Sequence, residues 1–238
     1  MDGIIAQAVA EAKLYQRCGL QAIMVENMHD VPYVKGPGPE IAAAMAVVAR
    51  EVKRAVPELP LGVQVLAQGN EAALGVALAA GAQFVRVEGF VFGHVADEGY
   101  MDSCAGRLLR FRHAIGADHI AVFADIKKKH SAHAITADVD IVQTLHAAEY
   151  FLADGVILTG AATGEAASLS ELEAVAKAAH GPVLVGSGIT ADNVSAYARL
   201  ADALIVGSFF KRDGCWENEV EEARVRAVMD AVGKAPCP

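Results

Sequence analysis

No apolar run in the sequence is long enough to span a bilayer; each is broken by Gly, Gln or a charged side chain, and no basic-then-apolar leader opens the chain. A soluble, cytoplasmic protein with no membrane partner is the expectation. Cationic excess is missing too, with 20 basic against 29 acidic residues and a formal charge of -9. That surface field repels nucleic-acid phosphate and anionic lipid, so nucleic acid is not an expected partner, although a local cationic pocket is still allowed. The four cysteines (Cys18, Cys104, Cys215, Cys237) contain no CxxC pair, and the eight histidines supply no HxH or HExxH spacing. Structural zinc and redox motifs are therefore unexpected and no cofactor is predicted; a divalent metal is allowed but unsupported. Linkers and low-complexity stretches are absent as well, so residues 1–238 are expected to form a single domain.

Apolar residues are abundant, at 54% of 238, which suffices for one large core. A small residue with an acid or amide recurs just ahead of β-rich apolar runs. It reads Gly19-Leu20-Gln21 before AIMV, Gly81-Ala82-Gln83 before FVRV and Gly116-Ala117-Asp118 before HIAVFA; then Ala153-Asp154-Gly155 before VILTG and Ala201-Asp202-Ala203 before LIVGS. The small residue ends a helix in a tight or left-handed turn, and the runs are too uniformly apolar for half-exposed strands. Buried parallel strands are predicted near 22–26, 62–66, 84–87, 120–125, 156–159, 183–186 and 203–206. Helical periodicity covers 4–18, 39–55, 70–80, 103–115, 137–152, 168–179, 191–200 and 217–232. Pro39 in a first turn, Ser168 with Glu171 three residues on, and Thr190 ahead of Asp192 are helix-start signals.

This alternation implies right-handed βαβ units and an α/β fold of the TIM (β/α)8 type, with a doubly wound open sheet as competitor. Eight helices are counted against seven strands, and the chain opens on a helix. The first barrel strand is thus expected to be missing from this chain. Two sheet edges would then flank an open seam that exposes apolar core and favours a homo-oligomer.

Ligands of such folds meet the C-terminal ends of the strands. Glu26, Asn27 and Asp30 follow the first predicted strand, Gln64 lies in the second, and Arg86 and Glu88 belong to the third. Asp125 to His130 follow the fourth, Thr159 ends the fifth, and Gly186-Ser187-Gly188 and Gly207-Ser208 end the last two, with Lys211 just behind. Adjacent Gly-Ser strand ends, one entering a helix, form a cradle where TIM barrels often hold phosphate; ordinary short βα turns are the plainer reading. Asp125 beside a lysine is expected to serve as a base or to orient a substrate, and His130 to act as a proton shuttle. A solvated basic loop is the alternative there. For Glu26 and Arg86 a structural ion pair is as good a reading as catalysis. His29, His94 and His130 fall in loops at this end, whereas Cys104, His113 and His146 fall on helices as packing or surface residues.

The stretches IMVENMHDVPY (23–33), FVRVEG with the loop Asp97–Gly99, ADIKKKH (124–130), GSGIT (186–190) and GSFFKRDGCWENEV (207–220) together resemble the BtpA family, which includes the SgcQ-like proteins. The resemblance covers nearly the whole chain, and ENxxDVP and FKxDG are its most specific parts. It implies a TIM-barrel fold. One member is associated with photosystem I biogenesis, while others accompany sugar-utilisation genes. Relatives usually begin with a strand carrying a GxVHLxPLPGSP-like segment, which is absent here and suggests a start codon assigned too late. Where relatives often read DVHVKH, this chain reads DIKKKH: Asp125, Lys129 and His130 match, and Lys127 replaces a histidine, which weakens any metal proposal.

The leading expectation is a site for a phosphorylated sugar-like or nucleotide-like ligand. Gly186, Ser187, Gly188, Gly207, Ser208 and Lys211 would hold the phosphate, while Glu26, Asp125, Lys129 and His130 face the reacting part, with Lys129 as an electrostatic clamp. Lyase, isomerase and hydrolase chemistry all fit. A non-catalytic biogenesis factor is the alternative.

Overall fold

Strand and helix alternate along residues 1–233, which the computed structural model describes. Two compact units divide the chain: Met1–Glu88 with Cys104–Phe123, and Gly89–Ser103 with the chain from Ala124 onward. The first unit runs α1 (Asp2–Arg17), β1 (Ile23–Glu26), α2 (Pro39–Ala55), β2 (Leu61–Gln64), α3 (Asn70–Ala80) and β3 (Phe84–Val87). The chain then forms β4 (His94–Ala96) and β5 (Gly99–Met101) of the second unit. It returns to the first with α4 (Ala105–Ala114) and enters β6 (Ala121–Asp125). Beyond β6 the second unit adds β7 (Ser131–Ala132), α5 (Ile141–Tyr150), β8 (Gly155–Leu158), α6 (Leu169–Ala178), β9 (Val183–Val185), α7 (Val194–Tyr197), β10 (Ala203–Leu204) and α8 (Glu222–Gly233). Seven strands pair in the order β1-β2-β3-β6-β8-β9-β10, with parallel register wherever residue partners are resolved. Seven is the count read from the sequence, and β1 and β10 end the order. Cys237 lies outside the described residues, and among them no helix is long and apolar enough to cross a membrane.

The recurring junction does two jobs. Gly81 closes α3 at φ +76, and Gly19 and Gly116 turn at φ +85 and +72, where an L side chain is disfavoured. The amide or acid that follows ties the next strand to its neighbour. Gln83 Oε1 accepts from Leu61 N–H at 2.9 Å at the start of β2, and Asp202 Oδ2 accepts from Val183 N–H at 2.8 Å at the start of β9. Each bond satisfies a strand-end donor that would otherwise be lost to the ladder. β2, β8 and β9 are buried along their whole length, as uniformly apolar runs require. Gly62 in β2 is dictated by packing: a Cβ there would lie 2.1 Å from the Phe84 ring, which packs edge-on against Phe123.

Several elements depart from the sequence reading. The antiparallel ribbon β5-β4-β7 was not expected, because strands of two or three residues are too short to show a period; His94, expected in a loop, sits on β4. The helix expected over 191–200 shrinks to the four residues of α7. Asn193 Oδ1 accepts from Thr190 N–H at 2.8 Å, a side-chain turn that competes with helix and delays its start. The helix expected from 217 begins at Glu222, since Arg212 N–H bonds Glu219 O and Lys211 bridges Val220, folding 211–220 into a closed loop. The helix expected from 137 starts at Ile141, behind an Asp140–Gln143 capping box. Pro39 and Ser168 hold their anticipated places.

Glu149, on α5, links that helix to the turn before β9. Burial alone would raise its pKa, but hydrogen bonds from His180 N–H (2.6 Å) and the His180 ring (3.0 Å), with His146 nearby, hold the carboxyl below its ordinary value. A depressed folded-state pKa contributes stability above the unfolded value of about 4.3, and that stability is lost as pH falls through the folded one. Glu149→Gln is therefore expected to cost about 1 kcal/mol at neutral pH, with the gap to the parent closing in acid. Urea midpoints at several pH values test this; a gap that persists in strong acid would show that the carboxylate is not the source.

Candidate ligand site at the strand ends

In the first unit the ends of β1, β2 and β3 are stitched by amide side chains. Asn27, buried after β1, donates from Nδ2 to Leu66 O (3.1 Å) and Asp30 Oδ2 (3.2 Å), and its Oδ1 accepts from Leu66 N–H (2.7 Å). Its amide is committed to the loop after β2, so Asn27 and Asp30 shape the chain there. Asn70, which the sequence reading did not single out, does the same for β3: its amide brackets Glu88 by donating to O (2.7 Å) and accepting from N–H (3.2 Å). Glu88 Oε2 in turn accepts from Gln68 N–H at 3.0 Å. Glu26 ends β1 half-buried, Arg86 is buried within β3, and neither stands without a partner. Gln64 ends β2 with its Oε1 buried and unbonded among the described residues.

In the second unit, Asp125 is the last residue of β6 and only 7% exposed. Lys128, equally buried, and His94 of β4 line one small cleft with it, together with Lys127, His133 and Thr144. The His94 and His133 rings lie 5.3 Å apart, and His133 Nε2 is 3.0 Å from Lys128 O. Lys127 Nζ donates to Thr136 O at 3.1 Å. Burial, followed by the charges of Lys128 and then His133, drives the His94 pKa down to about 4 against the opposing pull of Asp125, so its ring is neutral at pH 7.

The cluster is not the one named from the sequence. Asp125 is in it, but the buried lysine is Lys128, not Lys129, and the histidines are His94 and His133, not His130. Lys129 instead gives its backbone N–H to Thr159 Oγ1 at 2.9 Å. His130, with 42% of its side chain exposed, accepts at Nε2 from Thr163 N–H (3.2 Å). That leaves the ring proton on Nδ1, 3.9 Å from Asp97 Oδ2, and makes Thr163 Oγ1 the donor in the 2.9 Å contact with Nε2. Lys127 and His130 both hold positive φ, +45 and +54, which breaks the alternation a strand reading would extrapolate past Asp125. Among the described residues, four of the six non-glycine residues at positive φ (Gln68, Phe92, Lys127, His130) lie in loops after β2, β3 and β6, the strained conformations that collect at functional ends.

The loops after β8 and β9 lock together. Ser187 Oγ accepts from Gly160 N–H at 3.0 Å and donates to Glu165 O, so its single proton is spent within the chain. Gly186 N–H bonds Leu158 O, and Asn193 Nδ2 donates to Gly188 O at 2.9 Å. Gly188 has φ +69, and a Cβ on it would lie 2.2 Å from Ala166 N. Close backbone packing, not ligand approach, accounts for the glycine. Gly207 differs: it is exposed, and a Cβ there meets nothing within 4 Å. Ser208 opens a 3-10 turn and its carbonyl accepts from Lys211 N–H at 3.1 Å. The long helix expected behind the Gly-Ser-Gly loop is absent, and with it the helix dipole invoked for an anion there. Among the described residues, no group of three or more His, Cys, Asp or Glu is placed to hold a metal ion. Cys104 caps α4 and lies 3.2 Å from Asn70 Nδ2.

The model of the BtpA family matches residues 1–234. An uncharacterized mitochondrial protein of Caenorhabditis elegans is 46% identical over 237 residues, covering 98% of this chain and 85% of that protein. The photosystem I biogenesis protein BtpA of Synechocystis sp. is 33% identical over 236 residues, covering 98% and 81%. Among solved structures, thiamine phosphate pyrophosphorylase from Pyrococcus furiosus superposes with a TM-score of 0.64 at 15% identity, covering 95% of this chain and 90% of that one. (S)-3-O-geranylgeranylglyceryl phosphate synthase from Thermoplasma acidophilum, in complex with sn-glycerol-1-phosphate, gives 0.62 at 16%, covering 95% and 87%. At such identities the likeness is one of fold: an α/β architecture of TIM-barrel type.

Proposed function

The chain belongs to the BtpA family, and from the chemistry of its strand ends we propose that it binds a phosphorylated small molecule and acts on it by proton transfer. One observation carries the reading: Asp125, Lys128, His94 and His133 share a cleft at the end of β6 although three of the four are buried. Buried ionisable groups cost stability that apolar residues would not, and that cost supports reading the cluster as a reactive site. Asp125 is the proton acceptor, and Lys128 is the cation that steadies negative charge developing on the ligand. Isomerase, lyase and hydrolase reactions share that step. The phosphate rests on the open Gly207–Ser208 turn with Lys211 beside it, while Gly186, Ser187 and Gly188 hold the neighbouring loop in place. Two proteins of like fold that carry a phosphate ester in their names support this ligand class on this architecture. The name of the Synechocystis relative supports a second reading, a non-catalytic biogenesis factor; a scaffold has no need of the buried cluster, which favours the first.

Thermal-shift titrations with ribose 5-phosphate, sn-glycerol 1-phosphate and AMP, each against its unphosphorylated counterpart, test the reading. At least one phosphate ester is expected to stabilise saturably while its counterpart does not. Gly207→Val is expected to weaken that response at least tenfold with the unliganded Tm unchanged. Asp125→Asn should keep the response but abolish turnover of any ester that the parent protein converts. If no ester stabilises the protein beyond its counterpart, the reading fails.

A further inference from the structure

His94 presents a buried nitrogen with nothing to bond. The residue is 5% exposed, and its Nε2 has no hydrogen-bond partner among the described residues. A buried polar atom left in this state costs about 1–3 kcal/mol, so a partner from outside the chain is called for. His94 lines a small cleft with a cavity of about 20 Å³, room for a single water-sized group. The charge of the lining says which kind. Lys127 and Lys128 carry two positive charges against one negative on Asp125, giving +1, which favours an electron-rich oxygen over a cation. Burial and Lys128 keep the His94 ring neutral, so it offers one N–H and one lone pair and adds no charge of its own.

We propose that this cavity is a subsite for a carboxylate or carbonyl oxygen, which receives a hydrogen bond from His94 Nε2–H. His94 is then a ligand-contacting residue, and β4, pinned between β5 and β7, is the element that delivers it. Phe92 just upstream, at φ +58, sets the turn into β4. The subsite lies in the cleft that carries the proposed function and deepens that reading, but it needs no phosphate at Gly207–Ser208 and asks only for an oxygen small enough to enter.

Formate, the smallest carboxylate, is the probe. In nitrogen–proton correlation spectra of the histidine rings, formate is expected to shift the His94 Nε2 signal saturably while the exposed His113 signal stays put and sodium chloride of equal ionic strength does nothing. His94→Phe replaces the unbonded nitrogen with carbon; it is expected to fold with stability close to the parent's and to lose at least tenfold in formate affinity. An unmoved His94 signal, an equal shift with chloride, or undiminished formate binding by the phenylalanine variant would overturn the proposal and leave the cavity to a structural water. Ester binding with no formate response would sink this subsite and leave the phosphate reading intact; a formate response with no ester binding would do the reverse.

Discussion

Gly188→Val is expected to destabilise the protein by about 3 kcal/mol or more, the sum of a left-handed backbone that a β-branched residue resists and an overpacked site. The three atoms nearest a Cβ at this position are Ala166 N at 2.2 Å, Ala166 Cα at 2.3 Å and Glu165 C at 2.3 Å. All belong to the main chain, so no side chain can swing aside. The segment they belong to cannot retreat freely either. Glu165 O accepts from Ser187 Oγ, and Ala167 O accepts from Tyr197 OH at 2.6 Å. Gly188→Ala carries the same Cβ and should lose nearly as much, whereas Gly207→Val, with open space around it, should stay within about 0.5 kcal/mol of the parent. Urea unfolding of the three variants measures the contrast. Gly188→Val folding as stably as Gly207→Val would mean that the 165–166 segment is not seated against the loop after β9. The comparison also decides which glycine can report on a ligand: only the Gly207 variant separates loss of binding from loss of structure.

Asn70→Ala is expected to cost about 3 kcal/mol, because one truncation strands several buried groups at once. Asn70 is 4% exposed at the start of α3, and its amide is bonded to both main-chain groups of Glu88 and lies near Cys104 Sγ. With the side chain gone, a donor and an acceptor of Glu88, itself only 5% exposed, lose their partners. Asn70→Asp is a sharper probe than a second truncation. It keeps an acceptor for Glu88 N–H but sets a carboxylate oxygen against Glu88 O, so no rescue is expected at neutral pH. A loss under about 1 kcal/mol for the alanine variant would show that solvent reaches Glu88 and that the bracket is not a buried one.

How far each feature could be read in advance follows from the range of the forces that set it. Uniform apolar runs are a local signal, which is why β1, β2, β3, β6, β8 and β9 lie where the sequence places them. Helix stops at Gly19, Gly81 and Gly116 are equally local, since an αL turn needs only the residue that tolerates it. Asp125 was legible for the same reason, as a carboxylate closing an apolar run. Its companions were not. Once Lys127 turns to positive φ, the alternation that orients side chains along a strand is lost, and no count along KKKH tells which lysine is buried.

Sequence alone therefore determined the α/β alternation, the seven parallel strands, the family and the strand ends as the place to look, all properties carried by neighbours a few positions apart. Tertiary structure alone decided that Lys128, His94 and His133 join Asp125, that Asn70 brackets Glu88, and that Gly188 serves packing while Gly207 stays open. Each of those outcomes rests on a partner many residues away, Ala132 for β4, Glu88 for Asn70 and Ala166 for Gly188. Such partners are brought together only when the chain closes its loops, and local propensity holds no record of them.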